Sequence, residues 1–401
     1  MKVYYFFAAF IVWQGIVSLQ GGVRYLRFFR EALATPESKY TPFVTVLAPC
    51  KGLDQGLREN LAALFRQDYP VYEIIFAVER EEDEAAATIN ELRREFADSP
   101  TVSARLVVAG RAAAGGQKIH NLLAAMREAA SEIEVFVFVD SDARPGPSWL
   151  RNLTAPLGDE KIGAATGYRW FLPRRRNAAS LLRAVWNASV ASALGPNDAR
   201  NFCWGGSTAI RRSTFENLRM NEQWRGGVSD DFGLTNALQR EKMPIRFVPQ
   251  CLIASHEECS FRELVEFTTR QMKITRVYAP HFWKIVLVTG TIFAGVFFGG
   301  LVVVGHGLLT GKGFIPPLMF VAVIFLLGAG KAVYRLRAVG LVLGGDRRES
   351  AAGAAAHLLW WPAASLLFTI NAYAALFSRR ITWRGITYEL KSPVETVIIE
   401  R

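Results

Sequence analysis

VFVFVDSDARPGPSWL, residues 135–150, is the stretch on which the fold turns. Five apolar residues, 135–139, stop at Asp140-Ser141-Asp142, and Pro145 and Pro147 then forbid an immediate helix. A short run rich in Val and Phe reads as a strand buried on both faces. In an open parallel sheet, ligands bind beyond the carboxyl ends of such strands. Two carboxylates one residue apart at that edge make a hard anionic oxygen site. Such a site suits Mg²⁺ or Mn²⁺ carrying phosphates. The competing reading is that Asp140 or Asp142 forms an Asx-turn ahead of the prolines.

Outward from this stretch the chain alternates short apolar runs with helical ones. Strands are expected at 44–48, 72–78 and 104–108, and helices at 54–66, 83–96 and 117–130. With the 135–139 strand, this alternation argues for an α/β domain with a mostly parallel sheet covered on both faces. Later strands are expected at 162–170, 202–211 and 245–249, with helices at 178–194 and 231–240. No internal repeat or low-complexity tract interrupts the pattern.

The flanks are of another kind. Of 401 residues, 51% are hydrophobic, more than an ordinary soluble enzyme carries. The excess lies in the runs 3–19, 285–309, 314–334 and 354–377. Each is near the about 20 residues that cross a bilayer. The first reads as a retained anchor, with a cleaved signal as the alternative. Only Lys2 precedes it, whereas Arg24, Arg27 and Arg30 follow it. Positive-inside bias then puts the N-terminus outside and the following domain in the cytoplasm. Lys331, Arg335, Arg337, Arg347 and Arg348, and after the last run Arg379, Arg380 and Arg384, favour the same side. Three full spans after a cytoplasmic domain would leave the tail outside, so Trp360-Trp361-Pro362 is expected to make the last run re-entrant. The net charge of +11 suits an anionic membrane surface. Its basic residues cluster beside the apolar runs, and no nucleic-acid partner is expected. Cys50, Cys203, Cys251 and Cys259 show neither C-x-x-C nor zinc spacing and read as reduced thiols.

The expected organisation is therefore an anchor (1–23), a basic connector (24–40), a catalytic domain (41–260), an interfacial amphipathic helix (261–284), membrane segments (285–378) and a tail (379–401).

Pro49-Cys50-Lys51-Gly52-Leu53-Asp54, Asn60-Leu61 and Gln67-Asp68-Tyr69-Pro70 resemble the opening of ceramide glucosyltransferases, which are membrane glycosyltransferases of the family-2 type with a Rossmann-like GT-A domain. Lys118-Ile119-His120-Asn121-Leu122 is similar to that group's K-x-x-N-L segment, and Ser229-Asp230-Asp231-Phe232 to its (E/D)-D-(Y/F) segment. Residues 381–388, ITWRGITY, resemble its I-x-W-R-x-x-x-Y tail.

The resemblance implies roles. Asp140 and Asp142 would hold the metal, and Asp140 and Ser141 would meet the nucleotide sugar together with Pro49, Lys51 and Lys118. An acid after the second strand would read the uracil, and Glu79 and Asp83 both stand there. A solvated acidic helix start is the alternative for these two, and an exposed helix lysine for Lys118. Asp231 would be the catalytic base; a helix N-cap pair is the alternative for Asp230-Asp231. Trp204, Gly205, Gly206 and Asp230 would border the acceptor, the glycines letting substrate approach the backbone or else marking a bulge. His120 and His256 read as packing or surface residues. The family's R/Q-x-x-R-W motif appears as Arg270-Gln271-Met272-Lys273-Ile274. Arg270 and Lys273 would neutralise the departing diphosphate, although a lysine cannot make arginine's bidentate fork.

The expected protein is a multi-pass membrane enzyme with a cytoplasmic catalytic domain, in the inner membrane if bacterial. It would move a hexose from a UDP-sugar to a lipid alcohol, ceramide or another, with Mg²⁺ or Mn²⁺ as cofactor. The alternatives are a polysaccharide synthase and a catalytically silent protein that binds nucleotide sugar or lipid.

Overall fold

The computed structural model describes residues 2–173, 177–311, 313–344 and 350–401; Arg347 and Arg348 lie outside them. The chain divides into two compact units. One comprises Ala32–Trp170, Ala193–Ser255 and Arg379–Arg401, the other Met1–Glu31, Phe171–Ser192 and His256–Ser378.

The first unit is built on a seven-stranded sheet. Its strands are β1 (Val44–Pro49), β2 (Tyr72–Val78), β3 (Val102–Val108), β4 (Val135–Phe138), β5 (Ala164–Phe171), β6 (Thr208–Arg211) and β7 (Ile245–Ser255), in the order β3-β2-β1-β4-β6-β5-β7. β3, β2, β1 and β4 run parallel, with Val44 opposite both Tyr72 and Val135; β6 is antiparallel to β4 and to β5. This is a mostly parallel α/β sheet. β1, β2 and β4 are buried along their whole length, whereas β3 at the edge is only partly covered. That difference is why the inner strands read as unbroken apolar runs. β4 carries Phe136 and Phe138 against Phe215, with Trp224 on Phe138 at 5.3 Å between ring centres. Truncating one of these rings would cost about 3–5 kcal/mol.

Several boundaries move. The strand expected over 202–211 begins only at Thr208, because Gly205 and Gly206 turn the chain just before it. The strand expected over 245–249 continues to Ser255, and the helix expected from 54 begins at Leu57. Residues 379–401, expected as a tail, form a three-stranded antiparallel sheet of β8 (Arg380–Trp383), β9 (Ile386–Ser392) and β10 (Glu395–Glu400). Ile386, Tyr388 and Leu390 are buried at alternate positions of β9, a period-two signal present in the sequence.

In the second unit, helices Lys2–Ala34, Pro280–Thr310 and Ile315–Val342 are long and apolar enough to cross a membrane. Helices Ala351–Leu359 and Trp361–Phe377 meet at a 63° bend. Pro362 sits at the start of the second, where its missing N–H is tolerated. Helix Phe261–Tyr278 is amphipathic and opens with a capping box between Ser260 and Glu263.

Candidate active site

Because the sheet order reverses between β1 and β4, the carboxyl ends of these neighbours flank the crevice in which open α/β sheets bind ligands. Val139 still bonds Leu47, so β4 keeps step with β1 up to Asp140; a turn closed by Ala143 N–H on the Asp140 carbonyl then follows. Asn60 donates to the Ser141 carbonyl, and Ser141 Oγ to Asp54 at 2.5 Å. Gln67 donates to the Gly146 carbonyl and accepts from Leu150 N–H, while Asp68 N–H bonds Pro147. The Gln67-Asp68-Tyr69-Pro70 segment thus acts by fixing the loop that carries the two aspartates.

The acids beyond β4 join cations in an alternating chain. Arg169 donates to Asp142 at 2.9 and 3.1 Å and reaches Asp140 at 3.6 Å. Lys118 bridges Asp140 at 2.7 Å and Asp230 at 2.9 Å. Lys118 lies in the first turn of helix Gln117–Arg127 and Asp230 in the first turn of helix Asp230–Arg240. Arg169 also stacks over Trp204 at 5.0 Å. Burial would discharge Lys118, but Asp140 and Asp230 hold it protonated. Burial, the largest single influence, works to raise the Asp142 carboxyl, but Arg169, Arg384 and Lys118 together outweigh it and hold Asp142 below the usual carboxylate range. For Asp230 burial wins: opposed by Lys118 and helped by Asp231 and Asp140, it pushes the carboxyl up to about 6.

The two neighbouring acids are therefore unlike. Asp230 is buried and engaged by Lys118. Asp231 is half-buried, and its Oδ1 accepts from both Ser229 Oγ and Phe232 N–H. The helix cap is Ser229, neither aspartate. A side chain at Gly205 would collide with Asp230 and Lys118, and one at Gly206 with the Trp204 ring. Both glycines are needed for this packing.

Beyond β1 and β2 the balance reverses. Glu79 meets Lys51 at 2.7 Å, Arg401 at 3.2 Å and Arg111 at 3.6 Å. Against the burial that would raise it, these cations hold Glu79 low, Lys51 foremost. Asp83 caps helix Glu84–Glu95 through Ala85 N–H and accepts from Gly52 N–H, which fixes the loop after β1. Pro49 ends β1. His120 bonds the Ala109 carbonyl and His256 that of Leu172. The cysteines are buried and unbridged.

Arg270 and Lys273 lie on helix Phe261–Tyr278 of the other unit. Arg270 packs on Phe267, and burial lowers the Lys273 ammonium. Arg169, Asp54 and Arg384, with Arg111 and Arg401 beside Glu79, are charged groups of the first unit's site to which sequence reasoning gave no role. A lone arginine in the apolar strand β5 was the available signal for Arg169.

Among the described residues, no group of three or more His, Cys, Asp and Glu side chains could hold a metal ion. The donor chemistry of Asp140 and Asp142 nonetheless fits a hard divalent cation that takes its remaining ligands from phosphate and water. Asp54, Asp140, Asp142, Asp230 and Asp231 against Lys118, Arg169 and Arg384 leave this end with a formal charge of −2.

The sequence is 24% identical over 200 residues to ceramide glucosyltransferase 1 of Caenorhabditis elegans, covering 49% of this chain and 42% of that protein. It is 35% identical over 103 residues to the ceramide glucosyltransferase of Komagataella phaffii, covering 24% and 19%. The chain thus spans less than half the length of these curated relatives. A mannosyltransferase from Pyrobaculum calidifontis, solved with GDP-Man and Mn²⁺, aligns over 92% of this chain and 98% of its own at 17% identity with a TM-score of 0.44. That likeness is too remote to assign a residue or ligand. The family match is of a different order, running over residues 5–395: the chain belongs to glycosyl transferase family 21.

Proposed function

We propose that the protein transfers a hexose from a UDP-sugar to the hydroxyl of a membrane lipid, ceramide-like or other, by direct displacement with inversion. The observation that carries this reading is the pairing of unlike acids at the sheet edge. Asp230 is held by Lys118, whereas Asp231, among the described residues, accepts hydrogen bonds on Oδ1 alone. Asp231 Oδ2 is then the oxygen available to an acceptor hydroxyl.

The acceptor oxygen attacks the anomeric carbon, the bond from that carbon to the diphosphate breaks, and the hydroxyl proton passes to Asp231 Oδ2. Ser229 and the Phe232 N–H keep the carboxylate aimed. Asp140 and Asp142 would hold a divalent ion, which when bound would neutralise the leaving UDP. Lys118 keeps Asp140 and Asp230 from repelling each other. Lys51 and Glu79, paired beyond β1 and β2, would meet the nucleoside. Arg270 and Lys273 are assigned the neutralising of the departing diphosphate by family resemblance alone, and their amphipathic helix Phe261–Tyr278 suits a bilayer surface on the cytoplasmic side. The spans and the similarity to ceramide glucosyltransferases support a lipid acceptor.

The test is to incubate membranes containing the protein with a panel of UDP-hexoses and lipid alcohols, ceramide included, and to identify products by mass spectrometry. A lipid gaining one hexose is the expected result. A soluble or polymeric sugar product, or none, would refute the proposal.

A further inference from the structure

The hairpin joining β8 and β9 turns on Arg384 and Gly385, at φ of 50° and 78°. A two-residue turn with both φ positive matches the twist of a hairpin, and glycine enters it freely. An arginine at positive φ is uncommon and here puts a guanidinium at the tip. Arg384 Nη2 donates to Asp54 Oδ1. Asp54 Oδ2 accepts from Ser141, the residue between Asp140 and Asp142. Asp142 and Asp140 both feel the Arg384 charge. The Arg384 side chain is 38% exposed, and its other N–H groups make no hydrogen bond among the described residues.

The ion pair with Asp54 is not what seats this sheet. Ile381, Ile386, Tyr388 and Leu390 are all buried. Gly115 N–H bonds the Thr396 carbonyl, and Gln117 N–H the Tyr388 hydroxyl. These contacts fix the sheet to the start of the helix that bears Lys118. A partly exposed pair adds little to that. The hairpin tip is thus held in place by other residues while its guanidinium rests on a carboxylate beside the paired aspartates. A guanidinium recognises carboxylate and phosphate through the same planar fork.

We infer that Arg384 is a donor-binding residue: it holds the diphosphate of the nucleotide sugar, exchanging Asp54 for phosphate oxygens as the donor enters. Asp54 is its placeholder, keeping the fork oriented when no donor is bound. The inference rests on the nucleotide-sugar reading proposed above, and a probe without base, sugar or acceptor separates the two.

The experiment is calorimetric binding of inorganic pyrophosphate with Mg²⁺ to the full chain in detergent, at fixed ionic strength. Arg384→Ala should weaken binding by about tenfold or more, and Arg384→Lys should recover only part of it. Asp54→Asn should tighten binding by about threefold, and that gain should vanish in the Arg384→Ala background. Wild-type affinity in Arg384→Ala would overturn the inference. So would an Asp54→Asn gain that persists without the arginine, because plain charge removal would then explain it. Wild-type protein that binds no pyrophosphate overturns it as well. Should Arg384→Ala fail to fold, Arg384→Lys decides: affinity equal to wild type excludes the fork. Pyrophosphate binding that behaves as expected, with no glycolipid made from any UDP-hexose, would refute the proposed function and leave Arg384 as an anion-binding residue.

Discussion

The two ends of the same sheet edge carry opposite charge. Beyond β1 and β2, Glu79 is one carboxylate among Lys51, Arg111 and Arg401. Beyond β4, five carboxylates outnumber Lys118, Arg169 and Arg384. An anionic nucleotide diphosphate is drawn to the first end and repelled from the second unless further positive charge arrives with it. The difference teaches that one sheet edge need not be uniform in charge. On the proposed reading, one end would attract the donor with its own cations, and the other would share an external cation with it.

The largest break in this contrast is Lys118→Ala. It leaves Asp140 and Asp230 confronted with no cation between them, and losing one member of a buried pair costs about 3 kcal/mol or more. Thermal unfolding in detergent should show a clearly lowered midpoint, with transfer lost. An unchanged midpoint would mean that the acids are neutralised by other groups. Next comes the external cation. EDTA should stop transfer, and Mg²⁺ or Mn²⁺ should restore it; full activity in chelator would remove the metal from the account.

Acidification sharpens the comparison more gently. Burial pushes Asp230 up to about 6, above the ordinary aspartate value of about 4. Between those values the folded chain binds more protons at this site than the unfolded chain. The Asp230 contribution to stability therefore rises as pH falls through about 6 towards 4, and is lost as pH climbs back through that window. Transfer should move the other way, because a protonated Asp230 no longer balances Lys118. Asp230→Asn should remove this slope from unfolding midpoints measured across pH; an unchanged slope would assign it to another group. The smallest effect is expected outside the sheet. Lys273→Ala should lower turnover on a short-chain lipid in detergent more than it lowers donor affinity. Lys273→Arg should keep turnover or raise it. Unchanged turnover in Lys273→Ala would leave that lysine a membrane contact.

How much of this could be read in one dimension depends on how each residue acts. β4 and its aspartates were legible because the strand is apolar throughout and the acids stand where it ends. The inner parallel strands were legible for the same reason. Arg169 was not, because its partners Asp140 and Asp142 lie in the loop after another strand and only the β4-β6-β5 order brings them together. Lys118 and Asp230 were each legible as candidates, but their ion pair spans 112 positions. The Gln67-Asp68-Tyr69-Pro70 segment stood out as a family mark, while its work on the loop after β4 emerges only from hydrogen bonds. The final sheet was missed although Ile386, Tyr388 and Leu390 alternate, since the arginines at 379, 380 and 384 read as a basic tail.

The central claim is that Asp231, beside an Asp230 already committed to Lys118, takes the acceptor proton. Its most direct test is Asp231→Asn, assayed in parallel for UDP-sugar binding and for glycolipid formation. The account predicts donor affinity close to wild type and transfer lowered by about 10²-fold or more. Near-normal transfer by Asp231→Asn, with donor binding intact, would contradict it.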